Sequence, residues 1–247
     1  MNIETIKHQI TDLYQDFFQD MKIDPKTGII QETNHRFSGY PYIGDNYADA
    51  PIRLLFIPLD TGKDECYYDK DKSFHSFESR RDIFLQNTLE DYNPHIAGLY
   101  ATALYILKDK MGWTNAWDSL WAYRNEYKTA KAIRADANNL PRDIMNYVAY
   151  ENRYRFVTIG RGQNKEERSG GKDRTWLNGE RERKMLLDEI DAFNPDIVIF
   201  QGKHGLWNCG VNGLRKKYKV IKMSHPSCWQ WGADKLQYIV RNVDAQL

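Results

Sequence analysis

Two short apolar runs constrain this chain more than any other feature. Arg53–Leu59 is apolar after its first residue and is bounded by Pro51 and Gly62, and Asp196–Phe200 follows directly on Asn194-Pro195. Runs of this length with no polar alternation read as strands buried on both faces, which is the situation of parallel strands covered by helices. A third strand is read over Lys219–Met223, close to the carboxyl end.

Helical spacing fills the intervals. Residues 3–22 place Ile6, Ile10, Leu13, Tyr14, Phe17, Phe18 and Met21 on one face. Asn93-Pro94-His95 opens a helix through Lys108, and Glu180–Phe193 is a helix ended by Asn194, since proline disfavours the helical conformation of the residue before it. Helices are also expected over Gly205–Tyr218 and Asp234–Val243. Lys22–Ala50 reads as an approach loop whose Tyr40–Gly44 stretch folds against the sheet. Ser119–Tyr127 reads as strand-like, Lys131–Tyr150 as a helical insertion, Tyr154–Ile159 as a strand and Gly160–Gly179 as a long polar loop. Strand and helix in alternation imply an α/β fold, a three-layer αβα sandwich around a mostly parallel central sheet. With no internal repeat, low-complexity tract or linker, residues 1–247 are expected to form a single domain, 1–50 being an N-terminal helix and approach loop and 51–247 the core.

Charge narrows the choice of partner. The net charge is +1, so any binding to nucleic acid rests on local patches and not on a global field. One such patch is the stretch from Arg161 to Lys184, where basic residues outnumber acidic ones, a pattern that equally suits a solvated face. Cys66, Cys209 and Cys228 are too few and too scattered for a disulfide framework or a four-thiolate cluster. The opening Met1-Asn2-Ile3-Glu4 lacks the pattern of a secretory signal, and no apolar run approaches the ~20 residues that span a bilayer. A soluble cytoplasmic protein, without membrane contact, is the expectation.

Several motifs fail on inspection. Gly160-Arg161-Gly162 lacks the third glycine of a dinucleotide loop, and Gly171-Lys172-Asp173 lacks the upstream glycine and the hydroxyl of a phosphate loop. The six histidines show no metal-ligand spacing. What remains is a pair of residues at strand ends. Pro58-Leu59-Asp60-Thr61-Gly62 closes the first core strand, and Ser224-His225-Pro226-Ser227 closes the last. Each has a bland reading, an Asx turn for Asp60 and a strand-end cap for His225. The carboxyl ends of strands in an open α/β sheet line the ligand crevice, however, so two strands delivering a carboxylate and an imidazole there describe the halves of one site.

This order of motifs resembles the uracil-DNA glycosylase superfamily. The family's first motif runs glycine, any residue, Asp or Asn, proline, then glycine or an aromatic, and Pro58-Leu59-Asp60-Thr61-Gly62 stands at its place. Its second motif, His-Pro-Ser after the final strand, is His225-Pro226-Ser227, and an NPDIVIFQG-like strand lies between at Asn194–Gly202. Two departures stand out, Pro58 for a glycine and Thr61 for the usual proline. The three cysteines do not provide for the iron-sulfur branches.

The resemblance implies a cofactor-free monomer that hydrolyses the N-glycosidic bond of uracil or a related damaged base flipped from single- or double-stranded DNA. Asp60 would position water and stabilise the sugar cation, and His225 would hydrogen-bond the base oxygen as negative charge develops. Leu59 and Thr61 would line the substrate pocket, and Phe74 or Phe77 would stack on the base. Asn125 would read the Watson–Crick edge from the end of a middle strand. Ser227 would contact a phosphate, with Trp229 and Trp231 facing DNA. The competing expectation is a protein of the same fold that binds nucleic acid or a protein partner without cleaving anything.

Overall fold

The computed structural model of the chain describes residues 2–58, 74–158, 177–202, 211–225 and 235–247. Its elements in chain order are α1 (Ile3–Met21), β1 (His35–Phe37), β2 (Tyr42–Ile43), β3 (Leu54–Ile57), α2 (Phe77–Gln86), α3 (Pro94–Met111), α4 (Thr114–Trp121), α5 (Thr129–Asp136), β4 (Val148–Tyr150), β5 (Phe156–Thr158), α6 (Gly179–Phe193), β6 (Ile197–Gln201), α7 (Val211–Leu214), β7 (Lys219–Met223) and α8 (Leu236–Asp244). The result is a mixed α/β protein with a mostly parallel central sheet flanked by helices.

Local chemistry sets the helix ends. The Asn2 side chain accepts from Thr5 N–H at 2.8 Å to start α1. Asn93 does the same for α3, accepting from His95 N–H at 2.9 Å and Ile96 N–H at 3.0 Å, with Pro94 preset for the first turn. Gly112 takes φ 71 to end that helix, a conformation in which a side chain would be strained. Asn194, at φ 46, ends α6 just before Pro195.

The five-stranded sheet runs β2-β4-β3-β6-β7, parallel except for the edge strand β2. Leu54 pairs with both Val148 and Ile197, and Val198 pairs with Val220. Alternation divides the side chains between two cores. Leu54, Phe56, Val148, Tyr150, Ile197, Ile199, Ile221 and Met223 pack with α3, α4, α5 and α8. Leu55, Ile57, Ala149, Val198, Phe200 and Val220 pack with α1 and α6. Every residue of β3 and β6 is buried, as the apolar runs require.

Two expectations need correction, and the strand expected over Tyr154–Ile159 is present as β5. Ser119–Tyr127 is not a strand: α4 covers Thr114–Trp121 and turns follow, because Trp117 and Leu120 share a buried helical face. The expected helical insertion over Lys131–Tyr150 ends early. Only α5 is regular helix there, 3₁₀ turns follow at Ala137–Asn139 and Ile144–Tyr147, and the last three residues are β4. The parallel strand beside β3 is therefore β4, in the stretch expected to be helical, and the 154–159 segment lies outside the five-stranded sheet. That segment supplies β5, which pairs antiparallel with β1 in a separate two-stranded sheet. In a three-residue strand there is too little sequence for a period to show, so pairing with β3 defines it.

A buried polar cluster at the carboxyl edge of the sheet

The strand order places the candidate site. Between β3 and β4 the chain passes α2 and then α3, α4 and α5, the last three on one face of the sheet, and between neighbouring β6 and β7 lies α7, whose Leu214 packs on the other face. Adjacent strands whose connections depart over opposite faces form a topological switch point, where ligands bind in open α/β sheets. The β4 backbone extends this edge beyond its last strand residue. Glu151 N–H donates to Phe56 O at 2.9 Å, and Arg153 N–H donates to Pro58 O at 3.0 Å.

Alternation then sorts the polar residues. Asn152 continues the face of Tyr150, Gln201 that of Ile199, and His225 that of Met223, so all three belong to the α3 side of the edge. Tyr150 Oη donates to Asn152 Oδ1 at 3.2 Å. His95, in the first turn of α3, joins them from above: its ring lies 4.6 Å from that of His225 and 5.8 Å from that of Tyr150, centroid to centroid. Beside His225, Ser224 N–H donates to Tyr238 Oη on α8 at 2.6 Å, which anchors the exit of β7.

Burial makes this cluster electrostatically tense. Desolvation first, and then proximity to His225, bring the His95 pKa down to about 3 against the opposing Gln201 carboxamide, so the ring is neutral near pH 7. Gln201 approaches His95 closely enough to matter, yet no hydrogen bond of good geometry forms between them. His95 Nε2 and both amide atoms of Gln201, a residue 1% exposed, lack hydrogen-bond partners among the described residues. Buried orphans are uncommon, and a group of them at a switch point is a mark of a site built for a ligand.

The other face carries a buried ionic network. Arg155 pairs with Glu151 and Glu189, and its Nη1 donates to Tyr14 Oη at 3.3 Å, which in turn bonds both glutamates. Burial raises Glu151 above the usual carboxylate range against the pull of Arg155 and Arg80. This network anchors the loop after β4 and so the position of Asn152.

The candidates read from sequence fare unevenly. His225 stands at the exit of β7 beside His95. Leu59, Asp60, Thr61, Ser227, Trp229, Trp231, the three cysteines and most of the basic stretch from Arg161 lie outside the described residues. Phe74 packs on Phe18, Phe37 and Tyr40 at 5.5, 5.7 and 6.0 Å, and Phe77 on Tyr40 at 4.6 Å. Both therefore join the α1–α6 core, across the sheet from the His95–His225 pair. The strand-end placement of Asn125 is corrected: it sits in the turns after α4, where it accepts from Gln237 Nε2 at 2.9 Å. The amides at the ends of interior strands are Asn152, just beyond β4, and Gln201, the last residue of β6. His95, Tyr150 and Gln201 also went unread, although Asn93-Pro94-His95 was visible as a helix start and Gln201 stands just before Gly202.

Neutral imidazole, carboxamides and a phenol can offer donors and acceptors to a planar polar ligand. Among the described residues, no group of three or more His, Cys, Asp or Glu could hold a metal ion, and no helix is long and apolar enough to cross a membrane. Fold and site together define an α/β protein with a buried polar cluster at a sheet switch point. No protein-family model and no curated protein matches the chain.

Proposed function

We propose that this protein is a DNA glycosylase that hydrolyses the N-glycosidic bond of uracil or a related damaged base, with a uracil-DNA glycosylase-like three-layer core. The observation that carries the reading is His225 at the exit of β7, in ring contact with His95, on a carboxyl edge that includes the exit of β3 toward Asp60. In this mechanism the glycosidic bond breaks with its electron pair leaving on the base. His225 donates a hydrogen bond to the base oxygen that gains charge. The Asp60 carboxylate stabilises the sugar cation and directs water to the anomeric carbon; as the new C–O bond forms, the water gives up a proton to solvent and the released base anion takes one up, so that water is divided between sugar and base. Asn152 takes the base-reading role first assigned to Asn125, since a carboxamide presents a donor and an acceptor together to an imide edge.

A non-catalytic binding protein of the same architecture is the second reading. It is favoured by the packing of Phe74 and Phe77 on the far side of the sheet and by a net charge of only +1. Uracil-containing single- and double-stranded oligonucleotides, scored for alkali-labile sites, separate the two. Activity is expected from the wild type, near-total loss from Asp60→Asn, and roughly 100-fold loss from His225→Ala, the scale of one preorganised donor. A wild type inert on uracil, hypoxanthine and mismatched thymine refutes the enzymatic reading.

A further inference from the structure

We propose that His95 is the positioning residue for His225, acting through ring packing across the switch point; the inference rests on the role given above to His225. The rings of Tyr150, His95 and His225 form a row, with steps of 5.8 and 4.6 Å, that joins the exits of β4 and β7 over the ends of the two strands between them. Neighbouring strands are ~4.8 Å apart, so β4 and β7 are separated by roughly 14 Å and cannot brace each other's side chains without an inserted group. His95 is that group.

The support behind His95 is rigid. Its backbone N–H is held by the Asn93 carboxamide, Pro94 fixes the preceding backbone, and the inner face of α3 is buried from Ala97 through Leu107. Burial keeps the His95 ring neutral, so it can lie against His225 in any protonation state without like-charge repulsion. Orientation is what His225 needs most, because hydrogen bonds weaken steeply away from linearity and a small displacement of a catalytic group has a large effect on rate.

Two variants separate packing from chemistry. His95→Ala removes the ring, and His95→Phe keeps a ring without nitrogens. Both are read by the imidazole resonances of His225 in ¹H–¹³C spectra across pH, and by kcat and KM on a uracil-containing single strand. In His95→Ala the His225 resonances and titration midpoint are expected to move, and kcat to fall about tenfold or more with KM within about twofold. His95→Phe is expected to keep kcat within about threefold of the wild type. Should His95→Ala not fold, His95→Leu is read by the same spectra. Unmoved His225 resonances on loss of the ring overturn the proposal. Equal inactivity of the Phe and Ala variants also overturns it, since the nitrogens themselves would then contact the reaction. A wild type that releases no base refutes the glycosylase reading alone, and the spectra still decide whether His95 holds His225.

Discussion

Replacing Glu182 with Gln should stabilise this protein above neutrality and progressively less toward acid. Glu182 is 1% exposed in the first turn of α6, where one carboxylate oxygen accepts Asn178 N–H at 2.8 Å and the other, among the described residues, has no hydrogen-bond partner. Burial lifts its pKa from an ordinary 4.5 to about 7, against the opposing pull of the Asn178 and Leu177 N–H groups and of Arg155. The folded state therefore holds the proton more tightly than the unfolded chain. The group's contribution to stability is fully present below pH 4.5, declines through the window up to about 7, and stays lost above it. At ~1.4 kcal/mol per pH unit, that window amounts to roughly 3 kcal/mol. Gln keeps the accepting oxygen, is neutral throughout, and cannot lose this increment. Urea unfolding of both proteins from about pH 4 to about pH 8 should show the mutant-minus-wild-type difference growing by roughly 3 kcal/mol in favour of Gln. Taking the difference removes His95 and His75, whose lowered pKa values work in the opposite direction, withdrawing stability as pH falls below 6.5. A difference that stays constant across the range would refute the argument.

Arg155→Met should destabilise by about 3–5 kcal/mol in urea unfolding, because Glu151 and Glu189 would be left buried without their cation; a loss below ~1 kcal/mol would mean the network is not closed in solution. Gln201→Leu should raise the melting temperature, since it removes two buried polar atoms that lack hydrogen-bond partners among the described residues and whose desolvation opposes folding by about 1–3 kcal/mol. A lower melting temperature would show that the amide has a partner in the free protein. Asn152→Ala should sharply reduce base release from uracil-containing oligonucleotides, whereas Asn125→Ala should leave both the rate and the stability within about 0.5 kcal/mol of wild type. Equal losses from the two would place the reading amide elsewhere.

What the amino-acid order determined by itself is the part of the fold carried by local pattern. The apolar runs at Leu54–Ile57 and Ile197–Phe200 could be nothing but strands covered on both faces, and Asn93-Pro94 and Asn194-Pro195 mark a helix start and a helix end through backbone chemistry that needs no tertiary partner. His225 was legible for the same reason, as the polar residue shortly after a strand near the carboxyl end. The tertiary structure decided the rest, because the remaining signals are pairings and not periods. Val148–Tyr150 becomes the middle strand only by hydrogen-bonding β3, which moves the strand-end amide from Asn125 to Asn152. Phe74 and Phe77 stand at a plausible distance along the chain from Asp60, yet they fold into the aromatic core beside α1. His95 and His225 are far apart in sequence, and only the strand order, together with α3 crossing the α3–α8 face of the sheet, brings their rings within 4.6 Å. Chain order specifies which residues end each strand, and the contacts across the switch point exist only once the strands have found their neighbours.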